Sequence, residues 1–153
     1  MSSENSELGL KSELSRFETQ LETPVVPGEL PVWLQAVEEA LSTLIPDLRT
    51  CIDNRHRATI EEIAKQDQEL LTRVEQLKSE DRAILQEAER QVALVSSLAE
   101  QGDKLEPDEG HVAQAVRKIV DEGLQLVIRI RKQEAAISTW FMEAFDRDSG
   151  VAD

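Results

Sequence analysis

Apolar residues recur at steps of three and four along the N-terminal segment, which is the spacing of one face of an α-helix. The residues with this spacing are Leu10, Leu14, Phe17 and Leu21. We therefore predict an amphipathic helix over residues 6–22. The following segment TPVVPGELP, residues 23–31, contains three prolines and one glycine. These residues end a helix and indicate a linker.

A second apolar stripe begins after this linker. Pro31 suits the first turn of a helix. The stripe that follows comprises Leu34, Val37, Leu41, Leu44, Leu48 and Cys51. With the same spacing it continues through Arg55 and Ala58 towards Ile63. Pro46 lies inside this helix, where it removes one backbone donor, and we expect a bend there.

The chain must reverse direction before residue 101. A single helix over residues 31–101 would be about 100 Å long at ~1.5 Å per residue, which no globule of this size accommodates. Residues 61–69, EEIAKQDQE, are the least periodic part of this region. We place the turn there, with residues 53–57 and 78–81 as alternatives.

Two further helices are predicted. One runs to about Gln101, and its face comprises Leu70, Val74, Leu77, Asp81, Ile84, Ala88, Val92, Val95 and Leu98. An acidic loop with glycine and proline follows at residues 100–110. The last helix begins near Asp108 and ends before residue 146. Its face comprises Val112, Val116, Ile119, Gly123, Leu124, Val127, Ile130, Ala135, Ile137, Phe141, Met142 and Phe145.

These elements predict an all-α fold, an antiparallel up-and-down helical bundle of three long helices and a shorter N-terminal one. The chain divides into residues 1–30, which hold the N-terminal helix and the proline-rich linker, and residues 31–146, which form the bundle. Residues 147–153 are predicted to be a frayed C-terminal tail.

Composition narrows the class of protein. There are 17 Lys and Arg against 31 Asp and Glu, and the net charge of -14 disfavours nucleic-acid binding, because phosphates would be repelled. No apolar run approaches the ~20 residues of a membrane span. The single Cys51 forms no internal disulfide, and nothing signals secretion, so a cytoplasmic location is expected.

No catalytic motif is present in the sequence. It lacks a glycine-rich phosphate loop, a G-x-S-x-G elbow, an H-E-x-x-H helix and a C-x-x-C pair,. Cys51 lies on the apolar stripe and is interpreted as a small core residue. We therefore predict that the protein is not an enzyme.

The two histidines offer few metal ligands. They form Asp53-x-x-His56 and Asp108-x-x-His111. Both pairs lie beside predicted turns, so we expect solvated histidines at the ends of the bundle. A shared metal site is disfavoured by the small number of ligands.

Two segments resemble a known family. LLTRVEQLKSEDRAIL, residues 70–85, and IRKQEAAISTWFMEAFDRDSG, residues 130–150, are similar to two helices of the hemerythrin-like, cation-binding bundles. The resemblance implies a four-helix bundle with iron as its cofactor. The ligand positions of the family fall on Asp81, Gln133 and Ile137, so the implied site is vestigial. Three residues of the preceding helix are weak alternative ligands: Asp53, His56 and Glu61.

Asp81 is the unusual member of its apolar stripe. A buried carboxylate needs a cation or hydrogen-bond donors. We predict a buried polar layer in which Asp81 pairs with Arg55, Arg131 or both, while Gln133 or Thr59 completes the hydrogen bonds. Loss of Arg131 alone would then cost about 3 kcal/mol or more. Alternatively, Asp81 lies in the first turn of a helix that begins at Ser79 and serves as its cap.

The predicted function is that of a non-enzymatic helical bundle, a binding or regulatory module with a protein partner. Trp140 is the candidate contact residue, and its alternative is packing against the first helix. The competing hypothesis is a protein that still binds iron through the remaining carboxylates and His56. A coiled-coil assembly protein is disfavoured because the apolar spacing drifts and Pro46 interrupts it.

Overall fold

The computed structural model describes residues 3–101 and 110–151, with side chains over residues 9–101 and 110–146. Within these ranges the protein is all-α and contains no strand, which confirms the predicted fold class. The α-helices are α1 Ser3–Glu22, α2 Leu30–Cys51, α3 Arg57–Gln66, α4 Leu71–Ala99 and α5 Gly110–Val151. A π-helical turn, Ile52–His56, joins α2 to α3, so these two form one rod of a four-helix bundle.

The N-terminal helix belongs to the bundle core. Its four stripe residues are buried, and α1 packs against α2 and α5. In the linker, Gly28 has a φ of 86°, a left-handed conformation that glycine adopts without strain,. The Trp33 ring N–H donates a 2.8 Å hydrogen bond to the carbonyl of Thr23, which ties the end of α1 to the start of α2.

The π-helical turn changes which residues of the rod are buried. A π turn holds one more residue than an α turn, and the buried positions therefore step from Cys51 to His56, five residues later. Ile60 and Ile63 continue this face at steps of four and three. The prediction that the stripe passes through Arg55 and Ala58 is wrong: Arg55 is half-buried at the edge, and Ala58 is exposed.

The chain reverses within the predicted 61–69 segment. Asp67 has extended backbone angles, and its carboxylate accepts a 2.9 Å hydrogen bond from the backbone N–H of Glu69. A short 3-10 turn, Gln68–Leu70, then leads into α4. Because residues 78–81 lie inside α4, the alternative in which a helix begins at Ser79 and Asp81 caps it is wrong.

The last helix is longer than predicted. It continues to Val151, so the end predicted before residue 146 is wrong. No proline follows Phe145, and one glycine at position 150 lowers helix propensity without ending the helix,. The predicted start near Asp108 lies outside the described residues. None of the described helices is apolar over a length that could cross a lipid bilayer.

The core consists of two apolar clusters along the bundle. The larger one joins α1, α2, α4 and α5 and includes Phe17 and Leu44. The smaller one joins α3, the start of α4 and the end of α5 and includes Ile63 and Ile137. Among the described residues, the buried polar side chains of His56, Asp81 and Gln133 lie where the two clusters meet, whereas buried Gln91 donates to the backbone carbonyl of Glu122.

Candidate functional site

A polar layer separates the two apolar clusters, and we define it by six residues. These are Cys51, Arg55, His56, Asp81, Gln133 and Glu134. The α2–α3 rod contributes the first three, α4 contributes Asp81, and α5 contributes the last two. Charged groups in such a position lose hydration and require partners of opposite charge.

His56 is the centre of the polar layer and is only 1% exposed. Its Nδ1 lies 2.9 Å from Asp81 Oδ1, and its Nε2 lies 2.5 Å from Glu134 Oε1. Because ionised carboxylates only accept hydrogen bonds, both ring nitrogens donate, and the ring is an imidazolium. Burial disfavours this charge, but hydrogen bonds to Asp81, Cys51 and Glu134 outweigh it and raise the pKa of His56 to about 11.

Glu134 receives two cations. Besides the contact with His56, the Arg55 Nη2 donates to both carboxylate oxygens, at 2.6 and 2.5 Å. Burial alone would raise the pKa of Glu134, whereas the hydrogen bonds from His56 and Arg55 and their positive charges lower it to about 2. Glu134 is therefore ionised over the whole physiological range.

Cys51 and Gln133 also form hydrogen bonds within the layer. The Cys51 thiol donates to Glu134 Oε1 over 3.4 Å and accepts from Arg55 Nη2 over 2.9 Å. The Gln133 amide donates to Asp81 Oδ1, at 3.0 Å, and to the backbone carbonyl of Leu77. With Asp81 and Glu134 negative and Arg55 and His56 positive, these side chains sum to zero net charge.

The predicted partners of Asp81 are corrected by this geometry. Asp81 pairs with His56 rather than with an arginine, and Gln133, not Thr59, donates the additional hydrogen bond. Arg131 lies outside the layer, where it forms an exposed ion pair with Glu18 of α1 at 2.9 Å. Arg55 lies in the layer, but it binds Glu134 instead of Asp81.

The prediction of a solvated His56 at the end of the bundle is wrong, because the π turn directs its ring into the core. His111 is exposed near the start of α5, and Asp53 and Glu61 are exposed on the rod. A signal for His56 was present in the sequence. Counting back from Ile63 and Ile60 at helical spacing reaches His56 rather than Arg55.

The sequence interpretation missed Glu134 as a member of the layer. Gln133 continues the stripe between Ile130 and Ile137 and is buried, while Glu134 lies at its edge. Only the position of Arg55 and His56 on the facing helix makes Glu134 their partner. The prediction of Gln133 therefore located the correct part of α5, but it did not identify Glu134 as the residue that binds Arg55 and His56.

Two surface grooves reach the polar layer. One, of about 500 Å³, lies between α1 and α5; Lys11, Ser15, Arg131 and Glu134 are among its lining residues. The other, of about 390 Å³, lies between the rod and α4, and Asp81 contributes to its wall. Each groove therefore extends from the surface to one carboxylate of the layer.

Ile137 and Trp140 belong to the smaller apolar cluster. Ile137 is buried there, and Trp140 is half-buried against it, with the Arg73 guanidinium 4.9 Å from the centre of its ring. Trp140 thus packs against the cluster of α3, α4 and α5. The more exposed apolar residues of this end are Met142, at 64%, and Phe145, at 40%.

The iron site implied by the family resemblance does not fit these residues. Of its three positions, Asp81 is held by His56 and Gln133, Gln133 presents its amide nitrogen as a donor, and Ile137 has no ligand atom. A different set of ligand-type atoms does converge. The Cys51 sulfur, one ring nitrogen of His56 and one carboxylate oxygen of Glu134 lie within 4.8 Å of one another.

No protein-family model, curated protein or solved structure matches this chain. The hemerythrin-like resemblance of the two segments therefore stays a prediction.

Proposed function

We propose that the protein is a non-enzymatic helical bundle that serves as a binding or regulatory module and has no complete iron site of the hemerythrin type. The observation that carries this proposal is the charge balance of the polar layer. Arg55 and His56 supply the positive charge that Asp81 and Glu134 require. A cluster that already compensates its buried carboxylates does not need iron in order to be stable.

The absence of a catalytic role is supported by burial. His56 and Cys51, the strongest candidates for a base and a nucleophile, are almost completely buried. A general base must come within hydrogen-bond reach of the substrate. Both ring nitrogens of His56 are already hydrogen-bonded to carboxylates, so neither is within reach of a substrate.

A binding role is supported by an apolar surface at one end of α5. Met142 and Phe145 are exposed and lie three positions apart, so they are neighbours on one helix face,. The Phe145 ring also contacts Phe141, with 4.7 Å between the ring centres. Exposed aromatic and methionine side chains are enriched at protein interfaces. The proposed partner is therefore another protein, which contacts this face.

Elemental analysis tests whether the protein binds iron. The protein is purified without chelators and measured by inductively coupled plasma mass spectrometry, and again after iron loading. Trace iron in both samples is expected. About one or two iron atoms per chain would overturn the proposal and favour the iron-binding alternative, in which Asp81 would be a ligand.

Photo-crosslinking tests the binding face. A photoreactive phenylalanine analogue replaces Met142 in one variant and exposed Ser42 of α2 in the control. A discrete heterologous adduct is expected at position 142 in the native cell extract and not at position 42. Equal labelling at both positions would contradict a specific contact on this face.

A further inference from the structure

Three atoms that can ligate a metal surround one small volume of the polar layer. His56 Nε2 and Cys51 Sγ both donate to the same atom, Glu134 Oε1, over 2.5 and 3.4 Å. The space between them therefore holds two protons. Cys51 and His56 come from successive turns of the rod, and Glu134 comes from the facing helix α5.

The three atoms lie within 4.8 Å of one another, and one of their separations matches that of a tetrahedral metal site. Ligands about 2.0–2.3 Å from zinc lie roughly 3.3–3.6 Å from one another. The separation of Cys51 Sγ from Glu134 Oε1 already has this value, at 3.4 Å. The separation of His56 Nε2 from Glu134 Oε1 would have to widen by about 0.8 Å, which a small side-chain rotation supplies.

Asp81 provides an independent indication of a metal site. Its carboxylate accepts from His56 Nδ1 at 2.9 Å and is itself held by Gln133 at 3.0 Å. Histidines that bind metals commonly donate their other ring N–H to a carboxylate, which orients the ring and makes the ligand nitrogen more basic. Asp81 therefore directs Nε2 of His56 towards Cys51 and Glu134.

Charge balance permits a divalent ion at this position. If the ion replaces the thiol proton of Cys51 and the Nε2 proton of His56, the net charge of the layer does not change. Arg55 Nη2 also donates to Glu134 Oε1 at 2.6 Å and to the sulfur at 2.9 Å, and it can move away from both while it keeps its 2.5 Å bond to the second carboxylate oxygen. The groove between α1 and α5 reaches Glu134 and offers a path for the ion.

We propose that Cys51, His56 and Glu134 form a binding site for a thiophilic divalent cation, of which zinc is the best match. A thiolate and an imidazole favour zinc over magnesium and calcium, which prefer oxygen ligands. Water from the groove completes the fourth position. This inference deepens the proposed function, on which it rests, because it assigns a regulatory ligand to the same polar layer.

Cobalt substitution of the wild-type chain tests the site directly. Cobalt(II) is titrated into protein that was treated with a chelator and then freed of it, and absorbance is recorded. Because Cys51 is the only cysteine, a thiolate-to-cobalt charge-transfer band can arise only from it. We expect this band to saturate at one cobalt per chain and to disappear when zinc is added. No binding, or binding without the band, would overturn the proposal.

Variants then assign the other ligands. Cys51→Ser and Glu134→Gln are expected to abolish stoichiometric zinc binding, and Asp81→Asn to weaken it by about 10–100-fold. Asp53→Asn, an exposed carboxylate on the same π turn, is the matched control and should bind like wild type. If folded Cys51→Ser, verified by circular dichroism, retains wild-type affinity, the metal lies elsewhere and the proposal fails. Iron loading tests the proposed function separately, so the two can fail independently.

Discussion

His56 and Asp81 face each other across the centre of the bundle, with 2.9 Å between the ring Nδ1 and a carboxylate oxygen. One residue lies on the π-helical turn of the α2–α3 rod and the other lies on α4, 25 positions later. Both are buried between the two apolar clusters. Each buried charge is therefore stabilised by the other, and removal of either one should lower the stability of the protein.

Removal of one member of this pair should be costly. His56→Leu leaves the buried carboxylate of Asp81 with the neutral amide of Gln133, and we expect a loss of about 3–5 kcal/mol in the free energy of unfolding. The double variant His56→Leu/Asp81→Leu should lose less than the single one, because no charge remains unpaired there. Urea denaturation measures both. A single variant within about 1 kcal/mol of wild type would contradict this account of the pair.

Arg131→Leu is the matched surface variant. The sequence interpretation assigned Arg131 a loss of about 3 kcal/mol or more, as a buried partner of Asp81. The structure revises this expectation, since Arg131 pairs with Glu18 at the surface. Exposed ion pairs contribute about 0–1 kcal/mol, so the same denaturation experiment should find a loss in that range.

The π turn should tolerate the deletion of one residue. Deletion of exposed Asn54 places His56 four positions after Cys51, which is α-helical spacing, and leaves the faces on either side in register. Deletion of exposed Glu39 within α2 instead rotates all of the preceding residues by about 100° relative to the core. Thermal melting followed by circular dichroism should therefore show a cooperative transition for the first variant and a much larger loss of stability for the second. Equal losses would mean that the π turn is not a simple one-residue insertion.

Gly123 of α5 packs against Leu21 and Phe17 of α1. A Cβ added there would lie 2.6 Å from Leu21 Cδ1 and 3.1 Å from the Phe17 ring. Gly123→Ala should therefore destabilise the protein by about 1–3 kcal/mol through overpacking, despite the higher helix propensity of alanine. Gly9→Ala is the control, because its nearest neighbour, an Asp47 oxygen, is 3.7 Å away. That variant should gain about 0.5–1 kcal/mol.

Stability of the metal-free protein should depend on pH at both ends of the range. The pKa of His56 is raised from 6.5 to about 11, so its contribution is fully present below pH 6.5 and is lost as the pH rises towards 11,. The pKa of Glu134 is lowered from 4.5 to about 2, so its contribution is present above pH 4.5 and is lost as the pH falls towards 2,.

Urea denaturation at a series of pH values measures this dependence. The decline between pH 6.5 and 11 should be much smaller in His56→Gln, which cannot hold the proton. If His56→Gln loses as much stability as wild type over this pH range, groups other than His56 cause the loss. The exposed pair of Arg131 and Glu18 provides a control, because Arg131→Leu should keep the wild-type pH dependence.

The helices and their connections could be predicted from local sequence. Apolar residues at steps of three and four determine which face of each helix is buried, and prolines with Gly28 determine where the first helix ends. The turn near Asp67 also follows from local pattern, because residues around it lack periodicity. The same spacing placed Asp81 on a buried face, whereas Gln133 was assigned to the polar layer through the family resemblance. Each of these inferences depends on residues within one or two helical turns.

The partners within the polar layer were decided by tertiary structure alone. One additional residue in the π turn buries His56 in place of Arg55. The spacing back from Ile63 and Ile60 indicates that His56 is buried, but not which side chains it meets. Glu134 and Arg131 lie at similar edges of α5, but only Glu134 faces the rod. Helical period determines which residues share a face, whereas the packing of facing helices determines which charges meet. The sequence therefore sufficed for the bundle and for a polar position in its core, and tertiary packing brought His56, Glu134 and Cys51 together in the polar layer.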